Sequence, residues 1–168
     1  KLGFHAEYTT KREILEGISE FAQKYKAPVF THSSETKSEV EGCIERYGKT
    51  PTELFEELGL WNYGGGGYHS VWLSDNDMQI YKKRGLWAVI NAGSNAKLAS
   101  GIADVQKMSS LGLNLAVGTD GPSSNNALDM FREMYLISVL QKLKHNDAAA
   151  MDANEILKAA TVGSARCM

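Results

Sequence analysis

Pro28-Val29-Phe30-Thr31-His32-Ser33-Ser34-Glu35-Thr36 passes from apolar to polar and then gives way to the amphipathic stretch Ser38 to Tyr47. An apolar run this short, opened by proline and closed by hydroxyls, an imidazole and a carboxylate, reads as a buried strand that ends in reactive groups and feeds a helix. Working outward, the same order recurs. Candidate strands are Leu2 to His5, Pro28 to His32, Gly67 to Ser70, Leu86 to Asn91 and Asn114 to Gly118, five in all. Between the first two lies Thr10 to Lys24, where Ile14, Leu15, Ile18, Phe21 and Ala22 recur at helical spacing and Thr10 with Glu13 suggests a capping box. Ser38 to Tyr47 is closed by Gly48, and Thr52 to Leu58 opens with Thr50 as cap and Pro51 in first position. Ser74 to Arg84, Val105 to Leu111, Leu128 to Lys144 and Ala153 to Ala160 supply the remaining helices.

Strands alternating with helices, each strand ending in polar residues, predict an α/β fold with a parallel sheet. A (β/α)₈ barrel places its chemistry on such strand ends but needs about 250 residues. The expectation is therefore a partial (β/α)₈ TIM barrel, roughly the last five βα units, forming a single catalytic domain over 1–168. Lys1 in place of an initiator Met agrees with the C-terminal portion of a longer enzyme. Gly64 to Gly67 precedes a strand rather than a helix, so it lacks the setting of a phosphate loop and reads as a flexible lead-in.

Composition narrows the partners. With 18 basic and 20 acidic residues the formal charge is -2, which recommends neither nucleic acid nor an anionic membrane. No apolar stretch approaches the roughly 20 residues of a membrane span. Two cysteines, Cys43 and Cys167, form no CxxC pair, which argues against a disulfide framework and fits a reducing, cytoplasmic setting.

Chemistry is expected at the strand ends. Neutral imidazoles bind divalent metals, and a carboxylate three residues beyond one can turn into the same space to move protons, which singles out His32 and Glu35. A glutamate in a first helical turn and a hydrogen-bonded core histidine are the structural reading of the same pair. Ala116 to Gly121 delivers Asp120 onto what is otherwise an ordinary Asp-Gly turn. His69 sits inside an apolar strand and His5 at the end of another, whereas His145 lies in a polar loop. On parallel adjacent strands His5, His32, His69 and Asp120 converge on one rim, which scattered core histidines have no reason to do. Asn91, Ser94, Asn95, Asn125 and Asn126 read as residues that shape the turns.

Taken together, several motifs in order resemble a known family. They are His5 to Thr9, His32 to Thr36, His69, Asn91 to Ala103, Gly118 to Gly121 and Ser124 to Met134. The resemblance is to the amidohydrolase superfamily, and within it to the 5-methylthioadenosine/S-adenosylhomocysteine deaminases. It implies a metal-dependent hydrolytic deaminase of adenine-type nucleosides acting on a small-molecule substrate. His32 and Asp120 would be metal ligands, with Asp120 also orienting and deprotonating the attacking water. Glu35 would shuttle a proton, His69 would contact substrate or polarise the reacting centre, and His5 and Trp72 would line the substrate. Zn2+ is the implied ion, and Fe2+ suits the same donors. The family's first-strand His-x-His pair has no counterpart here. Two direct ligands fall short of the three of a catalytic zinc site, so the isolated chain is expected to be inactive. Ile90 and Trp72 stand where many relatives carry histidine. Other readings keep the fold with a guanine, cytosine or triazine substrate, or make the chain a non-catalytic module. Open sheet edges invite a second copy, so a homo-oligomer is an expected state.

Overall fold

The computed structural model describes all 168 residues, Lys1–Met168. Five parallel strands form one sheet in chain order: β1 (Leu2–Gly3), β2 (Val29–Ser33), β3 (Gly65–His69), β4 (Trp87–Ile90) and β5 (Asn114–Val117). The connecting helices are α1 (Arg12–Tyr25), α2 (Lys37–Tyr47), α3 (Pro51–Glu57), α4 (Asp75–Arg84), α5 (Ala92–Lys97) and α6 (Val105–Ser110). After β5 come α7 (Pro122–Asn125), α8 (Met130–His145), α9 (Ala153–Lys158), one π turn at Ala159–Gly163 and α10 (Ser164–Cys167). No helix is long and apolar enough to cross a membrane.

Local chemistry explains most boundaries. Thr50 and Glu53 form a reciprocal capping box with Pro51 at the first helical position, and Ser74 with Asp77 repeats the device on α4. Gly48 and Gly85 close α2 and α4 in left-handed conformation. The box expected of Thr10 and Glu13 does not form. Thr10 spends its N–H on the Glu7 carbonyl, closing a 3-10 turn over Glu7–Thr9, and α1 starts two residues later without a side-chain cap.

Three further expectations are corrected. Ile14 and Phe21 are 55% exposed, and the buried stripe of α1 is Leu15, Ser19 and Ala22. The helix turns this edge inward because Ser19 Oγ donates to the Leu58 carbonyl and Gln23 Nε2 to that of Gly59. Gly65 to Gly67 is not a flexible lead-in but the buried first half of β3, in register with Val29 to Thr31. A Cβ at Gly65 would overlap the Val29 carbonyl, one at Gly66 the Trp87 carbonyl, and one at Gly67 the Tyr81 hydroxyl. Bare backbone is what lets three strands and a helix close on one another there. The polar segment after β4 forms the short helix α5 rather than a loop, and Pro122–Asn125 likewise coils into α7.

The sheet divides its side chains by face. Outward-pointing residues join the helices in a core of 24 buried apolar residues, including Leu54, Phe55, Trp61, Tyr81 and Ile90. The opposite face holds a cluster of four, Phe30, Val89, Ala116 and Cys167, flanked by the half-buried Tyr68 and Trp87.

Candidate functional site

Each candidate side chain is delivered by the carboxyl end of a strand. His32 is the fourth residue of β2, on the face that carries Phe30 and opposite Tyr68 in register. Strict alternation would send His69, paired with Ser33, to the helix side. Left-handed backbone at His69 (φ 71°) breaks the alternation, and its ring stacks 5.2 Å from that of His32. Ser34, Ser70 and Asp120 are also left-handed, at φ 53°, 50° and 59°. Such conformations cost non-glycine residues on the order of 1–2 kcal/mol and collect where the surroundings hold side chains in a required direction.

The ligand atoms of His32, His69 and Asp120 all lie within 4.8 Å of one another. His69 therefore stands beside the two ligands expected from sequence, so that three residues could hold an ion. Both imidazoles are locked through the nitrogen facing away from the cluster. His32 Nδ1 donates to the His5 carbonyl at 2.6 Å and His69 Nδ1 to Asn95 Oδ1 at 2.8 Å. That arrangement leaves each Nε2 with its lone pair, as a metal ligand requires. Burial holds the His69 imidazole below its ordinary pKa, against the upward pull of Asn95 and Glu35, and so favours the neutral ligating form. Two imidazoles and one carboxylate in ion-sized proximity suit a divalent cation such as zinc.

Asp120 is held ready in the same way. Burial alone would raise its pKa, but hydroxyls from Ser94 and Ser124, each 2.7 Å from Oδ2, and the Gly121 backbone together hold it below the ordinary value. Glu35 stands at the edge of the cluster, with Oε2 3.7 Å from His69 Nε2 and Oε1 accepting from Ser100 Oγ at 3.2 Å. Its backbone is fixed by Glu39, whose buried carboxylate receives the N–H groups of both Ser34 and Glu35.

His5 contributes through its main chain as well as its ring. Its exposed ring hydrogen-bonds Thr9 and lies 4.8 Å from that of His32, while its carbonyl accepts from His32 N–H, the His32 ring and Thr31 Oγ1. Strand β1 ends at Gly3, and the chain bends there to present that carbonyl. Trp72 is 41% exposed and spends its indole N–H on the Ser100 carbonyl, thereby bracing the residue that holds Glu35. Ser94, Asn95 and Ser124 touch the candidate ligands directly, and Ser100 was not singled out by sequence at all. All four fall within the motifs Asn91 to Ala103 and Ser124 to Met134, but as single residues they look like the small polar residues that turns share.

A parallel α/β sheet thus gathers two imidazoles and an aspartate at its strand ends, with a glutamate beside them, a donor set that could hold a divalent ion. The chain belongs to the amidohydrolase family, whose profile matches residues 1–168. It is 44% identical over 164 residues to a 5-methylthioadenosine/S-adenosylhomocysteine deaminase of Pyrococcus furiosus, covering 98% of this chain and 39% of that one. The corresponding protein of Caldanaerobacter subterraneus subsp. tengcongensis is 42% identical over 167 residues, covering 99% and 39%. An adenosine deaminase from Xanthomonas campestris, crystallised with bound zinc, superposes with a TM-score of 0.91 at 36% identity over 98% of this chain and 38% of its own. A guanine deaminase from C. acetobutylicum, with guanine in its active site, shares the fold at TM-score 0.86 and 22% identity, covering 94% and 39%. The chain thus spans about two fifths of the length of the curated relatives it matches.

Proposed function

We propose that the protein carrying this chain is a metal-dependent hydrolytic deaminase of adenine-type nucleosides, with 5-methylthioadenosine and S-adenosylhomocysteine as substrates. On this reading residues 1–168 are one catalytic domain, the last five βα units of a (β/α)₈ barrel. The observation that carries it is the convergence of His32, His69 and Asp120 within 4.8 Å, with Glu35 alongside. The deaminases named above supply the substrate class.

His32 Nε2, His69 Nε2 and an Asp120 oxygen would hold the ion. A divalent cation bound there supplies the charge that acidifies water near neutral pH. Asp120, kept ionised by its two serines, orients the attacking water and accepts from it. Glu35 has one oxygen held by Ser100 and the other directed into the cluster, so the second can take a proton and pass it on. Taken from the attacking water, that proton goes to the ring nitrogen as the water oxygen bonds to the carbon bearing the amino group. The second water proton, lost from the new hydroxyl to Asp120 as the carbonyl forms, goes to the amino nitrogen, which leaves as ammonia when the carbon–nitrogen bond breaks. With Nδ1 on Asn95 and Nε2 toward the ion, His69 has no ring nitrogen left for the substrate, which the His5 and Trp72 rings border.

Ammonia release from 5-methylthioadenosine by the full-length protein with added zinc tests the reading. Glu35→Gln is expected to lower kcat by about 10²–10⁴-fold, the usual worth of a positioned proton carrier. Undiminished turnover in that variant refutes the assignment. Residues 1–168 alone are expected to be inactive, and robust turnover by them would show that no further part of the barrel is needed.

A further inference from the structure

Glu133 is fully buried on α8 and has no part in the chemistry above. Its Oε2 accepts from the Gly93 backbone N–H at 2.9 Å and its Oε1 from Asn125 Nδ2 at 2.7 Å. The same Asn125 Nδ2 donates to the Thr119 carbonyl at 2.6 Å. Each of these partners adjoins a residue that acts at Asp120. Gly93 precedes Ser94, Asn125 follows Ser124, and Thr119 precedes Asp120 itself. The Ser94 and Ser124 hydroxyls are the two that donate to Asp120 Oδ2.

We propose that Glu133 is the positioning residue for Asp120, drawing together the three chain segments whose meeting point is the Asp120 carboxylate. Arg132 supports the arrangement, because Nη1 donates to Asn125 Oδ1 at 3.2 Å and so directs the amide nitrogen at Glu133. Gly93 supports it from the other side. A Cβ there would overlap Glu133 Oε1 and crowd both polar atoms of Asn125, so the carboxylate reaches the backbone N–H only past a bare α-carbon. Asp120 is also in left-handed conformation at φ 59°, which persists only where neighbours over-determine it. A buried carboxylate stripped of its donors is strongly destabilising, so Glu133 and its two donors stand or fall as a unit.

The inference rests on the reading of Asp120 as a metal ligand. Its test measures zinc affinity rather than turnover, so a missing deaminase activity would not count against it. In the full-length protein, zinc affinity by chelator competition and the Tm of the metal-free form are compared for Glu133→Gln, Glu133→Asp and Gln141→Leu. Gln141 is an equally buried polar bridge on the same helix, tied to Ala103 and Gln106 and touching nothing at Asp120. Glu133→Gln offers an amide where one donor needs an acceptor, and is expected to weaken zinc binding about 10- to 100-fold. Glu133→Asp should recover part of that loss, and Gln141→Leu should lower Tm while leaving affinity as it was. Unchanged affinity in Glu133→Gln overturns the proposal, as does equal weakening in Gln141→Leu. Should Glu133→Gln not fold, Asn125→Ala removes the donor shared by Glu133 and Thr119 and carries the same expectation and the same refutation.

Discussion

Ile90 and Val89 are neighbours on β4, yet Ile90 enters a core of 24 buried apolar residues beneath the helices and Val89 a cluster of four. The face away from the helices opens on an apolar hollow of about 520 Å³ whose lining includes Phe30, Tyr68, Val89 and Cys167. Both faces come from the same strands, so strand propensity cannot account for the difference. What distinguishes them is whether a second layer closes over the side chains. Cohesion of these 168 residues therefore resides on the helix side, and the other face contributes less of it.

Paired substitutions on β4 give the largest contrast between the two faces. Ile90→Ala is expected to cost about 2–5 kcal/mol in chemical denaturation, as truncations inside a sealed core do. Val89→Ala should cost about 1 kcal/mol, the ordinary effect of a substitution that opens no sealed core. Equal losses would mean that the inner face is as fully packed as the outer. An effect of opposite sign is expected at the rim. Ser34 combines left-handed backbone with a buried hydroxyl that has no hydrogen-bond partner. Ser34→Gly keeps the N–H bonded to Glu39 while removing both costs, and should raise stability by about 1 kcal/mol. A destabilised Ser34→Gly would show that no strain is stored there. The least intrusive measurement leaves the sequence alone. Cys43 lies under the helices, where burial and the nearby Glu7 push its thiol up to about 12, whereas Cys167 borders the inner hollow. Maleimide labelling near neutral pH should modify Cys167 first and Cys43 only on global unfolding. Identical rates would erase the distinction between the faces.

Much of this was legible in the residues themselves. Apolar runs ending in His32, His69 and Asp120 gave strand order and rim together, because parallel connections leave consecutive strands few other arrangements. Caps at Thr50 and Ser74 and the glycines at 48 and 85 placed the helix limits. The triglycine strand was not legible, since flexibility and close packing call for the same residue and only the neighbours decide between them. His69 as a third possible ligand was hidden for a related reason. Its direction depends on one positive φ, which overrides the alternation by which strands are read. The serines around Asp120 and Glu35 were obscured because a hydroxyl that caps a turn and one that holds a carboxylate look alike in sequence. The triple junction at Glu133 joins positions 40 residues apart along the chain, a separation no local pattern can reveal.

The His32 ring is aimed by a main-chain oxygen, and every amino acid brings one. Codon changes at position 5 can accumulate without turning the ring, provided the bend itself persists. Inheritance of the ring's orientation is thus uncoupled from inheritance of the histidine, which leaves the imidazole at position 5 answerable to selection only for what it meets across the rim.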